Sequence, residues 1–375
     1  MATFYAAFFL FGGIQMPSVP AWLQARGLDA QEIGIVLAAP MLVRIVAVPL
    51  ATRLIDRHGE VQIALAAAAT LGTVGYAMMG LAGGFIAILA AYAAISVVSA
   101  PVMPLADSYG LRGLRARGLA YGPVRLWGSV AFIFANMAGG VVLSRLGAGH
   151  LVWVLAATMA ATAVATWRLP RSPDGAAAAT PKHTSVGLWR SGVFVAVIVG
   201  ASLIQASHAV LYGFVTLQWT NKGLDGTTIG LLWAIGVGAE ILLFAASRRV
   251  IARFGAVEMI LFGGIGAVVR WTAMAFDPAT VLLPLLQCLH GLSFGATHLG
   301  AMDALSQLAH RQGGATAQGD FSAVQGVTFA AAMGASGVLV AAFGSAAYFA
   351  MAALAAVGAA IALAGRRMWR ESYPT

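Results

Sequence analysis

Twelve stretches of about 20 residues run through this chain almost without charge, long enough as helices to cross a hydrocarbon core of roughly 30 Å. They cover approximately residues 3–25, 31–53, 61–81, 84–108, 120–144, 149–168, 190–215, 227–248, 256–276, 279–305, 319–343 and 346–365. Lipid offers backbone groups no partner, so such segments cross as helices. Of the 375 residues, 60% are hydrophobic and only 9% charged, whereas a soluble domain carries about 25% charged residues. The chain is therefore expected to be a polytopic membrane protein. The first apolar stretch starts almost at Met1, with no basic segment before it and no convincing cleavage site. It is expected to be a membrane helix rather than a removed signal peptide.

A repeat divides the sequence. Arg26-Gly27-Leu28-Asp29-Ala30-Gln31-Glu32-Ile33-Gly34 returns 196 residues later as Lys222-Gly223-Leu224-Asp225-Gly226-Thr227-Thr228-Ile229-Gly230. The same offset pairs Arg57-His58-Gly59 with Arg253-Phe254-Gly255, and Asp107 with Asp303. Repeated halves inside a membrane are typical of transporters, whose halves move about a shared site. The expected fold is all-α, with twelve transmembrane helices in two pseudo-symmetric six-helix bundles. Residues 1–169 form the N-terminal bundle, 170–189 a cytoplasmic linker and 190–375 the C-terminal bundle. The linker Pro170–Trp189 is rich in turn formers and poor in apolar periodicity.

The formal net charge of +9 is a topology signal. Of 22 Lys and Arg, sixteen lie in the loops after even-numbered helices or in the C-terminal tail. Only Arg26, Arg145 and Lys222 lie on the other side. By the positive-inside rule both termini are cytoplasmic, and no nucleic-acid role is expected. The single cysteine, Cys288, excludes an intramolecular disulfide and cysteine-built metal sites. No Walker, Gly-x-Ser-x-Gly or His-Glu-x-x-His sequence is present, so neither ATP-driven nor hydrolytic machinery is expected, nor any cofactor or metal.

Six charged residues fall inside the spans: Arg44, Asp107, Arg125, Glu240, Arg270 and Asp303. Each costs roughly 2.5–3.5 kcal/mol at mid-bilayer on insertion scales, so such groups pair, face water or work. Arg44 has Glu240 as its repeat mate, an acid and a base at equivalent depths. A structural ion pair is the plain alternative for both. Glu240 is the only acid deep in the C-terminal half, which makes it the candidate proton carrier or polar contact for substrate. Asp107 and Asp303 lie toward helix ends, where gating or capping competes with a substrate role. Arg125 has Gln325 as its mate, at an offset of 200, so the repeat does not dictate its charge. Its planar fork suits a carboxylate or sugar hydroxyls. Arg270, His290 and Glu240 lie at compatible depths. His290 and His298 are eight residues apart, roughly on one side of a helix. Histidine can relay protons near neutral pH, although a lone membrane histidine is more often a packing hydrogen bond. Gly291 and Gly295 suggest close helix packing. Trp127, like Trp22, Trp219, Trp233 and Trp271, can stack on a flat substrate or anchor at the interface.

Asp56-Arg57-His58-Gly59 resembles the Asp-Arg-x-Gly core of the major facilitator superfamily signature. The second half keeps Arg253-Phe254-Gly255 but has Ala252 in place of the acid. A charged tight turn there can latch neighbouring helices, so Asp56, Arg57, Gly59, Arg253 and Asp303 are candidate gating residues. Pro104-Leu105-Ala106-Asp107 and Tyr121-Gly122-Pro123-Val124-Arg125-Leu126-Trp127-Gly128-Ser129 resemble the oligosaccharide–proton symporter group, and more closely the phenylpropionate permease branch. So do His208-Ala209-Val210-Leu211-Tyr212-Gly213-Phe214, the segment 232–240 ending in Glu240, Val268-Val269-Arg270-Trp271, and His298-Leu299-Gly300-Ala301-Met302. The resemblance covers nearly the whole chain. It implies substrate contacts at Asp107, Arg125 and Glu240, and a proton network at Glu240, Arg270 and His290. The family's proton-binding glutamate three residues after the histidine falls at Ser293, so the proton site differs, or moves to Glu240, or coupling is absent.

The expected function is secondary transport by alternating access, as proton-coupled uptake of an aromatic carboxylate of the phenylpropionate kind. Arg125, Asp107, Glu240, Trp127, His208 and Tyr212 are the candidate substrate-binding residues. Glu240, Arg270, His290 and His298 are the candidates for proton coupling. A sugar or nucleoside proton symporter and an efflux transporter of the same fold are the alternatives within transport. A membrane enzyme or receptor is disfavoured by the missing nucleophile, metal motif and soluble domain. Partners are a small-molecule substrate, protons and the lipid bilayer. The protein is expected to act as a monomer in a bacterial inner membrane.

Overall fold

The computed structural model describes all residues except 59, 116–117, 119–120, 171–184, 309–313 and 373–375. The side chains at 52–53, 56–58, 112, 115, 121–123, 185–187, 314–316 and 370–372 are likewise outside the description. The gating candidates Asp56, Arg57 and Gly59 fall among these.

The described chain is helical, with no strand among the described residues. Its helices are α1 (Ala2–Ala25), α2 (Ala30–His58), α3 (Val61–Leu81), α4 (Phe85–Ser99), α5 (Val102–Arg115), α6 (Tyr121–Leu146), α7 (Leu151–Trp167) and α8 (Gly192–Ala206). They continue as α9 (Ala209–Asn221), α10 (Gly226–Ala245), α11 (Ser247–Phe254), α12 (Ala256–Ala275), α13 (Leu283–His290), α14 (Thr297–Leu308), α15 (Gly314–Phe343) and α16 (Tyr348–Ser372). Among the described residues, eleven apolar stretches are long enough to span a membrane, the last of them 53 residues from Ala317 to Trp369. That stretch holds two helices, α15 and α16, on either side of a 3-10 turn at Gly344–Ala347, which gives the twelve spans expected.

Three spans are broken where a uniform apolar run reads as one helix. The fourth is interrupted between Ser99 and Val102, where Pro101 has no N–H to continue the ladder. The seventh runs from Gly192 to Asn221, longer than its expected end at 215, and breaks at Ser207–His208. The tenth contains a π-helical turn, Gly291–Ala296, between α13 and α14. Irregular backbone at membrane depth survives only inside protein or along a cavity, and π turns concentrate at functional sites.

The repeated sequence forms the same structure twice. After α1, Gly27 has φ +85°, and after α9, Gly223 has φ +87°, a region open to glycine at little cost. In both turns the next leucine donates its N–H back five residues, Leu28 to Leu23 at 3.2 Å and Leu224 to Trp219 at 3.0 Å. This is the Schellman closure of a helix. Asp29 and Asp225 then cap the next helix. Asp29 and Glu32 exchange side-chain-to-backbone bonds of 2.9 and 3.1 Å, a reciprocal capping box. Asp225 accepts from Thr227 N at 2.8 Å and Thr228 N at 3.1 Å.

The chain clusters into two compact units, Met1–Ala179 with Val215–Ala234, and Thr180–Phe214 with Ile235–Thr375. In the first unit α1 packs on α6 and α7, and α3 on α7 and α4. Here α6 also meets the start of α10 at backbone distance. A Cβ on Gly230 would lie 2.5 Å from the Asn136 carbonyl, and one on Gly226 would collide with the Gly140 carbonyl. In the second unit α8 packs on α16 and α15, and α12 on α16, α14 and the π turn.

Candidate functional site

Two polar clusters stand out, one in each unit. In the first unit Tyr5 joins the two charged candidates. Its hydroxyl donates to Asp107 Oδ1 at 2.8 Å, and its ring lies 5.4 Å from the Arg125 guanidinium carbon. Phe9, one helical turn along α1, stacks closer under Arg125, at 4.0 Å. The geometry follows from α1, where Phe4, Tyr5, Phe8, Phe9 and Phe11 supply aromatic faces over two turns. Arg125 has no carboxylate or hydrogen-bond partner among the described residues, and cation–π contact leaves its N–H fork available. Trp127 is two residues further on α6, about 200° around the helix, and 58% exposed. It is not brought to Arg125. A second polar group in this unit, absent from the expected residues, is Gln15, whose Nε2 lies 2.9 Å from the Tyr76 hydroxyl and 3.1 Å from that of Tyr92. Arg44, in α2, is exposed and is brought to neither group.

The second unit holds a continuous buried network. Arg270, on α12, is fully buried. Its NH1 lies 3.1 Å from His290 Nδ1 and 3.3 Å from Ser293 Oγ, and its NH2 donates to Gln287 Oε1 at 2.5 Å. The guanidinium also rests over the Trp271 ring at 4.7 Å. Trp271 is held in turn by a 2.8 Å bond from its Nε1 to Ser207 Oγ, at the break between α8 and α9. His208, in that break, reaches Ser293 Oγ with Nε2 at 3.1 Å. Glu240 Oε2 lies 3.7 Å from His290 Nε2, an ion-pair distance rather than a hydrogen bond.

Backbone approach sets these contacts. A Cβ at Gly291 would lie 2.8 Å from the Ala239 carbonyl, and one at Gly295 would lie 3.1 Å from Leu243 and 3.5 Å from Glu240. The Gly-x-x-x-Gly pair thus lets the tenth span press against α10 and brings His290 to Glu240. The Phe294 carbonyl, in the π turn, accepts from Gln205 Nε2 at 3.2 Å. The two irregular backbones, at Ser207–His208 and Gly291–Ala296, therefore meet where the polar side chains converge.

Of the expected C-terminal residues, Glu240, Arg270, His290, His208 and Tyr212 come together. The Tyr212 ring lies 6.2 Å from His290 and stacks on Phe329 at 5.9 Å. His298 is held differently, stacked on Phe294 at 6.1 Å, with Phe244 on another side. Asp303 accepts from Gln307, one turn on, at 2.8 Å. Arg253 lies on the short helix α11, against Phe254. Neither joins the cluster. Gln287 was not singled out in the sequence. A polar residue three before His290 in an apolar span was the signal that could have found it. Glu258 and Arg366 form a separate 2.9 Å ion pair linking α12 to α16.

Known proteins share both the sequence and the fold. The model of the MFS_1 like family matches residues 1–351. A probable 3-phenylpropionic acid transporter of Escherichia coli is 30% identical over 342 residues, covering 90% of this chain and 87% of that one. Maltose permease of Geobacillus stearothermophilus is 28% identical, covering 86% of this chain and 82% of that protein. Among solved structures, a variant of the nucleoside transporter NupG superposes with a TM-score of 0.88 over 97% of this chain and 98% of that one, at 17% identity. That last likeness concerns the fold alone. With twelve apolar spans, a duplicated helix–turn–helix and a family match over nearly its whole length, the chain belongs to the MFS_1 like family and is a membrane-embedded secondary transporter of small molecules, not an enzyme.

Proposed function

We propose that the transporter couples uptake of an aromatic carboxylate of the phenylpropionate class to proton entry. The observation that carries this reading is Arg125, a guanidinium laid over the rings of Phe9 and Tyr5, whose N–H donors have no partner among the described residues. Such a patch matches a ligand with a carboxylate at one end and an aromatic ring at the other. The 30% identity to a probable 3-phenylpropionic acid transporter supports the same class. Glu240 is the proton carrier in this reading, because it is the acid that faces the buried Arg270–His290 pair. Its hold on a proton depends on burial and on neighbouring charge, both of which alternating access changes. The Lys and Arg bias supports both termini in the cytoplasm, and the bacterial relatives support an inner membrane.

In proteoliposomes, an imposed pH gradient, acid on the entry side, should accumulate 3-phenylpropionate. Glu240→Gln should lose that accumulation and keep counterflow exchange, which needs no net proton movement. Full gradient-driven accumulation by Glu240→Gln would remove Glu240 from the mechanism. The Gln15–Tyr76–Tyr92 group favours a second reading, a sugar or nucleoside bound through its hydroxyls. Competition of 3-phenylpropionate uptake by maltose or uridine decides between the two.

A further inference from the structure

The hydrogen-bond directions in the second unit are fixed from both ends, because backbone carbonyls only accept and a guanidinium only donates. His208 Nδ1 lies 3.1 Å from the Gln205 carbonyl and 3.3 Å from that of Ile204, so Nδ1 carries the ring hydrogen. His208 Nε2 is then an acceptor, and the Ser293 hydroxyl donates to it across 3.1 Å. Ser293 Oγ still has lone pairs, and Arg270 NH1 points at them from 3.3 Å. A cationic His208 would instead aim a second donor at Ser293 beside that of Arg270, take the serine hydrogen's acceptor away, and set a second buried cation beside Arg270.

The other end is equally constrained. Arg270 NH1 is 3.1 Å from His290 Nδ1, so that nitrogen is bare and the His290 hydrogen sits on Nε2. This is the nitrogen that faces Glu240 Oε2 at 3.7 Å. A second proton on His290 has only Nδ1 to occupy, where it would displace the Arg270 donor and leave two cations in contact. The groups facing His290 are Glu240 on α10, Arg270 on α12, His208 in the α8–α9 break at 5.5 Å between rings, and Tyr212 on α9. In its own span, Phe294 stacks on it at 5.1 Å.

We infer that His290 is a positioning residue held as one neutral tautomer, an Nε2–H donor aimed at Glu240, and that the cluster has a single proton-binding group, Glu240. Ser293 and His208 complete the device by fixing which way Arg270 donates. A serine is suited to this place because its hydroxyl both accepts from Arg270 and donates to His208, which a carboxylate cannot do. The inference rests on the reading of Glu240 as the proton carrier.

Glutamine at position 290 offers a carbonyl to Arg270 and an amide N–H to Glu240, and it cannot titrate. His290→Gln is expected to keep gradient-driven accumulation of 3-phenylpropionate with the wild-type pH profile, while His290→Ala loses it. Retained counterflow with lost accumulation in His290→Gln overturns the inference, since His290 would then carry the proton. Nitrogen-15 spectra of histidine-labelled protein in nanodiscs test the tautomer without any substrate. His290 should stay a neutral Nε2–H ring from about pH 5 to 8, the range in which an ordinary histidine titrates. Movement of its Nδ1 signal to the doubly protonated position overturns the inference as well. If the wild-type protein accumulates no 3-phenylpropionate, the substrate assignment fails and the spectra alone decide the role of His290.

Discussion

Tyr5 is the residue on which the first unit's chemistry turns. Its hydroxyl is bound to Asp107 and its ring lies beside Arg125, so an acid and a base share one aromatic partner. A planar guanidinium suits that arrangement, because it stacks through its face and donates through its edge. Arg125→Lys keeps the charge and loses both features. It is expected to weaken 3-phenylpropionate binding by roughly tenfold to a hundredfold, the equivalent of one charge-assisted hydrogen bond of about 1.5–3 kcal/mol. A thermal-shift titration of the purified protein measures this, and unchanged affinity in the lysine variant would remove Arg125 from the site. Arg125 and Asp107 are legible in the sequence because charges inside apolar spans are conspicuous. Tyr5 and Phe9 are not, since an aromatic residue in an apolar run looks like any other lipid or core contact. Nothing local announces that Tyr5 will meet a partner 102 residues away.

Elements show the same division between local signals and distant ones. The two Schellman turns and their aspartate caps come from short sequences that repeat, so each can be read directly from Gly-Leu-Asp. Asp225 adds a pH signature. Its hydrogen bonds with Thr228, then with Thr227, lower its pKa below the usual aspartate value. A carboxyl with a depressed folded pKa stabilises the fold where it is ionised, and the contribution fades as pH falls through that folded value. The window lies below the ordinary aspartate value of about 4. Asp225→Ala should therefore lower the melting temperature at neutral pH, and the gap to wild type should shrink on acidification below that range. A gap that persists unchanged in acid would exclude the cap as its cause. The breaks at Ser207–His208 and Gly291–Ala296 have no comparable signature. They are held by side chains of the seventh and tenth spans that bond backbone carbonyls there: Ser207 and His208 at Ile204, Gln205 at Phe294 and Thr297 at Ser293.

At the scale of the molecule, span number and order are legible because apolar length maps directly onto bilayer thickness. The joining of Val215–Ala234 to the first unit is not. It follows from Gly140, Gly226 and Gly230, which let two backbones approach and carry no apolar signal. A single proton-binding group also has a consequence for energetics. One carboxylate anion entering with one proton moves no net charge. Uptake of 3-phenylpropionate should therefore respond to an imposed pH difference and stay unchanged when the membrane potential is clamped at different values with valinomycin and potassium. Uptake driven by potential alone would require more than one proton per substrate.

Arg270 has its acceptors 17, 20 and 23 residues downstream, at Gln287, His290 and Ser293. During synthesis α12 reaches the membrane carrying a buried guanidinium whose partners have not yet left the ribosome. An arginine inside a span costs up to about 3 kcal/mol at insertion, and its hydrogen-bond acceptors among the described residues all lie in the following segment. The ninth and tenth spans are therefore expected to insert as a hairpin in which the second helix retains the first.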